Sequence, residues 1–297
     1  MTATPVVLAL SSALFYGTGD FLGGEGSRRS SPAQMSLLVQ STGLVVAVIA
    51  VAITAHGSPP AAVIEWGALA GVGSAIGNQA LYRGLASGAM NVVAPLSAVL
   101  TAVLPAIVGL AGGDRLGLAG GAGLVIAVPA IGLVSLSPAQ PSSDHPAQAR
   151  ARSTVRFGVG WGLLAGCGFG LLFIGLDKAG TTSGAWPLLS DQIVAILLVG
   201  TVTTYLRRRA RSSTRPSTPW SSALIWGLAS GLGGAGGNVF FFAATGTGSL
   251  TVVAVLSALY PAITVLLAAI VLHERTGRIQ LIGLLISAAA VALISST

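Results

Sequence analysis

The sequence predicts an all-α integral membrane protein with ten transmembrane helices, arranged as two inverted five-helix repeats. Its composition, its long apolar stretches and an internal repeat lead to this fold class. The 297 residues are 53% hydrophobic and only 8% charged, whereas a soluble domain carries about 25% charged residues. Lipid must therefore be the outer solvent, and lipid restricts a chain to helices or a closed barrel. The apolar stretches are unbroken instead of alternating with polar residues, which favours helices.

Ten stretches have about the length of a helix that crosses the hydrocarbon core, which takes roughly 20 residues. They are residues 5–23, 33–54, 62–82, 89–111, 117–136, 157–176, 186–206, 221–242, 249–271 and 277–296. The longest connection, residues 137–156, is rich in Pro, Ser, Ala and Arg. It is predicted to be a flexible hinge between a first repeat, residues 1–136, and a second repeat, residues 157–297.

Much of the first repeat recurs in the second. Residues 66–136 align with residues 226–296 without a gap, and 23 of the 71 positions are identical. The matched pairs include Trp66 with Trp226 and Asn78 with Asn238. A duplicated unit with an odd number of crossings enters the membrane in the opposite sense the second time. The sequence therefore predicts inverted repeats, an arrangement typical of secondary transporters.

The formal net charge of +7 is interpreted as a topology signal, and no nucleic-acid partner is expected. Thirteen of the fifteen cations lie in the connections after the first, third, fifth, seventh and ninth spans. The positive-inside rule places these connections in the cytoplasm and both termini outside. The two cations on the opposite side are Arg115 and Lys178.

Two paired motifs carry a family resemblance. A stretch of small residues with proline opens the fourth span of each half, at residues 94–98 and 254–261, and an acid–Arg pair follows each span. With the five-plus-five span count, nearly the whole chain resembles the drug/metabolite transporter superfamily, of the EamA type. The expected protein is a multi-pass protein of the bacterial inner membrane, a monomer or homodimer, and no cofactor or metal is expected. Relatives export or import amino acids, drugs, nucleobases, sugars or sugar phosphates, and their termini usually face the cytoplasm, contrary to the Arg count here. The acids Asp114 and Glu274 are interpreted as structural, each pairing with a cation or capping the helix that follows.

Polar residues inside spans are costly in lipid, so they usually face the bundle interior or a cavity. Asn78 and Asn238 each share a helix face with small residues, so their amides either join helices or contact a solute. Gln40 and Gln192 occupy similar places in spans two and seven, and each amide offers donors and an acceptor to a polar solute.

Asp20 lies in span one, one turn after Tyr16. A buried carboxylate there could load and release a proton and couple transport to the proton gradient. The alternative is a carboxylate at headgroup level beside Arg28 or Arg29.

The remaining candidates are aromatic, hydroxyl and proline residues within spans. Aromatic side chains either line the solute path or pack against other helices, and proline bends a helix, either as a static kink or as a gate. The candidate substrate-binding residues are Tyr16, Gln40, Asn78, Tyr82, Ser97, Phe169, Gln192, Asn238, Phe242, Ser257 and Tyr260. The candidate kink or gating residues are Pro95, Pro105 and Pro261.

The sequence contains no catalytic cluster and no metal-ligand spacing. With few charges inside the spans, the expected solute is a small neutral, zwitterionic or amphiphilic metabolite or drug. The expected protein is a secondary transporter that binds this solute between spans 1, 3 and 4 of one half and 6, 8 and 9 of the other. Efflux is favoured, with uptake as the alternative within this class. A non-transporting scaffold and a membrane-embedded enzyme are the alternatives of another class.

Overall fold

The structure, a computed structural model, describes residues 3–27, 30–55, 57–86, 90–135, 145–209, 220–273 and 277–295. Within these ranges the fold consists of eleven α-helices and the turns between them, without a strand. The helices are α1 (Ala3–Ser27), α2 (Pro32–Thr54), α3 (Ala61–Ala86), α4 (Met90–Ala111), α5 (Leu118–Ser135), α6 (His145–Ala179), α7 (Trp186–Arg209), α8 (Trp220–Thr245), α9 (Leu250–Ser257), α10 (Tyr260–Val271) and α11 (Arg278–Ser295).

Eight segments of the described chain are long and apolar enough to cross a membrane. One of them, Leu250–Val271, contains both α9 and α10. Two predicted spans are not among the eight. The helix α3 carries Glu65, Asn78 and Arg83, which lower its mean hydropathy, and α11 is a shorter apolar helix, Arg278–Ile294.

The ninth predicted span is two helices instead of one. The helix α9 ends at Ser257, and α10 begins at Tyr260 with Pro261 in its first turn. Proline has no backbone N–H to donate to the preceding turn, so a helix readily restarts there. Pro95 and Pro105, by contrast, lie inside the continuous helix α4, so neither interrupts its helix as Pro261 does.

The predicted hinge is only partly a connection. Residues 137–144 lie outside the described residues, and α6 already begins at His145. Residues 145–156 therefore form the first turns of α6 instead of a flexible loop.

Two helix pairs approach each other at glycine. The helix α1 packs on α8, and α3 packs on α6. A Cβ atom on Gly233 would lie 2.5 Å from the Cα atom of Gly19, and a Cβ atom on Gly168 would lie 2.5 Å from the backbone nitrogen of Gly77. Small residues allow such close backbone contact, which drives helix association in lipid. The outward surface is apolar, with side chains such as Ile53, Val125 and Ile225 exposed, as a lipid-facing surface requires.

Hydrogen bonds join the two halves of the chain at one end of the bundle. Thr54 at the end of α2 accepts a hydrogen bond from the backbone nitrogen of Ala185, at 3.0 Å. The Asp114 carboxylate accepts from both the backbone nitrogen and the hydroxyl of Thr251, at 2.9 and 2.6 Å. Asp114 was expected to pair with a cation or cap the following helix, α5; instead it caps α9 of the other half. Its counterpart Glu274 lies outside the described residues.

We expect Asp114→Ala to lower the free energy of unfolding by about 1 kcal/mol, the usual cost of losing an N-terminal helix cap. Thermal denaturation in detergent measures the change. The neighbouring Arg115 is exposed, so Arg115→Ala is the matched control and should leave the melting temperature unchanged. Equal melting temperatures for both variants would contradict a stabilising role of the Asp114 contact.

Candidate functional site

A central cavity lies between the first half of the chain and the second. Its volume is about 70 Å³, which is room for a few water molecules. Helices α1, α2, α3 and α4 contribute one part of its wall, and α6, α7, α8 and α10 contribute the other. The lining residues are Tyr16, Gly19, Asp20, Val39, Gln40, Gly43, Ser74, Asn78, Tyr82, Thr101, Phe169, Leu172, Phe173, Gln192, Ser230, Gly234, Ala235, Asn238 and Tyr260.

The wall formed by α1, α8 and α10 is polar and aromatic. The Tyr16 hydroxyl donates a hydrogen bond to the Asn238 side-chain oxygen. The Tyr16 ring lies 6.2 Å from the Tyr260 ring in an edge-on arrangement and 5.9 Å from the Phe173 ring. The break before Pro261 matters here, because it places Tyr260 at the start of α10 and beside the cavity.

In the wall formed by α3 and α6, an aromatic ring again packs against a glycine, but this ring is a phenylalanine and has no hydroxyl. A Cβ atom on Gly77 would meet the Phe169 ring, just as one on Gly237 would meet the Tyr16 ring. Phe169 therefore stands against α3 as Tyr16 stands against α8. Phenylalanine has no hydroxyl, so Phe169 cannot donate to Asn78 as Tyr16 donates to Asn238. The Asn78 amide nitrogen donates to the backbone oxygen of Ser74, at 3.0 Å. Equivalent asparagines thus make different hydrogen bonds in the two halves.

Asp20 is the charged side chain of this cavity; no other Asp, Glu, Lys or Arg of the described chain lines it. It lies within electrostatic range of Tyr16, Tyr82 and Tyr260. The sequence left open whether Asp20 sits beside Arg28 or Arg29, and those residues lie outside the described ranges. No ion pair or hydrogen bond joins Asp20 to a described residue.

The two glutamines enter the cavity from α2 and α7. The Gln40 amide donates to the Ser74 hydroxyl at 3.5 Å. The Gln192 amide donates to the Asp191 carboxylate at 2.8 Å. The Gln192 side chain is only 4% exposed, and its oxygen has no hydrogen-bond partner in the described chain. That oxygen is buried against Gly43 of α2, where an added Cβ atom would meet it.

Three of the eleven candidate substrate-binding residues do not line the cavity. Ser97 and Ser257 are fully buried between helices: a Cβ atom on Gly166 of α6 would lie 2.8 Å from the Ser97 backbone oxygen, and the Ser257 hydroxyl donates to the backbone oxygen of Ala9 at 3.4 Å. Phe242 belongs to the main apolar core. The other eight, with Asp20, line the cavity.

Sequence reasoning missed three hydroxyl residues of the cavity, Ser74, Thr101 and Ser230. Ser and Thr are common in membrane helices because they hydrogen-bond their own backbone, as Thr101 does to the Ser97 carbonyl at 2.8 Å. A signal was nevertheless present for Ser74, which lies one helical turn before Asn78.

Comparison with known proteins places the second half of the chain in a family. The EamA-like transporter family matches residues 156–296. These residues form an EamA-like transporter domain. The match is consistent with the drug/metabolite transporter superfamily. A solved structure, described only as "Crystal structure of protein", covers 99% of this chain and 96% of its own, with a TM-score of 0.67 and 15% identity. At that identity the likeness shows the fold alone. No curated protein matches the chain.

The EamA-like domain and the apolar helices together indicate a multi-pass membrane protein. The transporter family of that domain implies a small-molecule substrate and a lipid environment. The described chain contains no cluster of three or more His, Cys, Asp or Glu side chains that could hold a metal ion.

Proposed function

We propose that this protein is a secondary transporter of ten crossings in two inverted halves, which carries a small neutral, zwitterionic or amphiphilic solute through the central cavity by alternating access. The observation that carries the proposal is the cavity itself, since both halves supply polar side chains to one cavity in an apolar bundle. Solute sites of secondary transporters lie where repeats meet, near the bilayer midplane.

The packing of the helices supports two related halves. The pair α1–α8 recurs as α3–α6, and the contacts of α2 with α8 recur as those of α3 with α7. The first helix of each half therefore contacts the third helix of the other half, and the second helix of each half also contacts that third helix. The chain repeat supports this relation, because residues 66–136 resemble part of the EamA-like domain.

Alternating access requires one end of the bundle to open while the other closes. The contacts of Thr54 with Ala185 and of Asp114 with Thr251 join the two halves at one end. These four residues flank the connections that the Arg distribution assigns to the outside. We propose that the structure is closed on that side and that these contacts break when the cavity opens outward.

Filling the cavity tests the proposal. A Cβ atom on Gly234 would meet no atom within 4 Å, and Gly234 lines the cavity. We expect Gly234→Leu to remain folded and to lose transport, because the added side chain occupies the solute space. A growth screen of the overexpressed protein against amino acids, nucleobases and toxic cations would find a solute, and proteoliposomes would measure its rate.

Gly160→Leu is the matched control, since a Cβ atom there also meets nothing, and Gly160 lies on the outside of α6, away from the cavity. It should transport at the wild-type rate. A Gly234→Leu protein as active as the control would favour a scaffold, in which the cavity has no role.

The direction of transport and the orientation of the chain in the membrane are part of the same proposal. We propose efflux from the cytoplasm across a bacterial inner membrane, with both termini outside. A C-terminal alkaline phosphatase fusion, active only outside the cytoplasm, should then be active, whereas a C-terminal green fluorescent protein should be dark. The reverse pattern would overturn the orientation and leave the cavity argument intact.

A further inference from the structure

We infer that the solute of the central cavity is a monovalent organic cation with an apolar body, whose charged nitrogen lies at Asp20 and whose body lies against α6. This inference rests on the proposed transport function and narrows its substrate class. Its evidence is the sign of the charge in the cavity, the aromatic rings around it and the difference between the two halves.

The cavity offers a single negative charge and no positive one. Asp20 lines it, and no Lys, Arg or His of the described chain does. The helices that pack on α1 are α2, α8, α9 and α10, and their described residues carry no charged side chain. A carboxylate without a cation partner in a low-dielectric site favours a ligand that brings one positive charge. An anionic solute would face repulsion there.

Aromatic rings complete a site for an ammonium group. Tyr16 lies one turn before Asp20, its ring is near those of Tyr260 and Phe173, and Tyr82 lines the same cavity. Ring faces attract cations, and the attraction grows when the cation is desolvated. The Tyr82 and Ser230 hydroxyls converge beside Gly23, where a Cβ atom would lie 3.3 and 2.8 Å from them. They offer oxygen acceptors close to Asp20.

The opposite wall fits the apolar body. Phe173 follows Phe169 by one turn on α6, as Asp20 follows Tyr16 on α1, so Phe173 occupies the position that corresponds to the carboxylate. Phe173 stacks on Phe241 at 3.9 Å, which holds its ring in place. The charge is therefore present on one wall only, and an amphiphilic cation would bind in one orientation.

Asp191 is the other acid near the cavity, and it is a weaker candidate for the cation. It is fully buried and does not line the cavity, and one of its oxygens accepts from the Gln192 amide. Asp191 holds the Gln192 side chain, which lines the cavity, and so it acts as a positioning residue.

The test measures binding to the purified, full-length protein in detergent by calorimetry. The probe is benzyltrimethylammonium, a cation whose charge does not titrate, and the comparison ligands are neutral benzyl alcohol and anionic benzenesulfonate. We expect saturable binding of the cation alone. Asp20→Asn should weaken it at least about tenfold, as expected when a desolvated charge pair is lost, whereas Asp20→Glu should retain most of it. Asp177→Asn is the matched control, because Asp177 lies near Lys178 at the end of α6, away from the cavity.

Each result decides the inference. Equal binding of the cation by wild-type protein and folded Asp20→Asn would overturn it. Wild-type preference for benzyl alcohol or benzenesulfonate would also overturn it, independently of any variant. If the growth screen finds a neutral or zwitterionic solute that Gly234→Leu no longer transports, the transporter proposal stands and the cation inference fails. If no solute is bound or moved, both fail.

Discussion

Gly233→Ala is expected to lower the free energy of unfolding by about 2 kcal/mol, because it places a methyl group inside the crossing of α1 and α8. The added Cβ atom would lie 2.5 Å from the Cα atom of Gly19, 2.6 Å from its nitrogen and 2.9 Å from the backbone oxygen of Phe15. All three are backbone atoms, so no side chain can rotate away and α1 itself must move. Thermal denaturation in detergent measures the loss.

The next residue supplies the control. Gly234 has nothing within 4 Å of an added Cβ atom, so Gly234→Ala gains the roughly 1 kcal/mol by which alanine exceeds glycine in a helix. Adjacent, chemically identical substitutions should therefore change stability in opposite directions. A Gly233→Ala protein that melts at or above the wild-type temperature would mean that the close contact of α1 with α8 is absent.

The sequence predicts the helical membrane fold, because an apolar chain with so few charges has few other solutions. It does not predict which proline interrupts a helix. Pro95, Pro105 and Pro129 all lie inside continuous helices, whereas at Pro261 the structure divides a predicted span. Proline removes one hydrogen bond at every such position, so tertiary packing decides whether the helix breaks.

The candidate site is also predictable in part. Asn78, Asn238 and Asp20 could be selected from the sequence because an amide or carboxylate in lipid needs an interior position. Ser97 and Ser257 could not be separated from true lining residues in this way, since a hydroxyl is also satisfied at a helix contact. The difference between Tyr16 and Phe169 becomes visible only when the structure sets both against equivalent glycines, Gly237 and Gly77.

Asp20→Asn should abolish transport driven by a proton gradient. One carboxylate cannot hold a proton and an organic cation at once, so each must leave before the other binds. This competition is how a single carboxylate in the cavity would couple outward movement of solute to inward movement of protons. The other acids near α1 are Glu25 on the same helix and Asp191 on α7, but neither lines the cavity.

The measurement uses proteoliposomes loaded with the solute found by the growth screen. In wild-type protein an imposed gradient of one pH unit should drive the solute to a concentration ratio of about ten across the membrane, because it supplies about 1.4 kcal/mol per proton exchanged. The Asn variant should show no such accumulation, and Asp177→Asn should behave as wild type. Wild-type binding of benzyltrimethylammonium should weaken as the pH falls, because protonation removes the charge of Asp20, whereas the weak binding by Asp20→Asn should not change with pH. If the Asn variant responds to the gradient as the wild type does, the proton is carried elsewhere and the exchange mechanism at Asp20 is wrong.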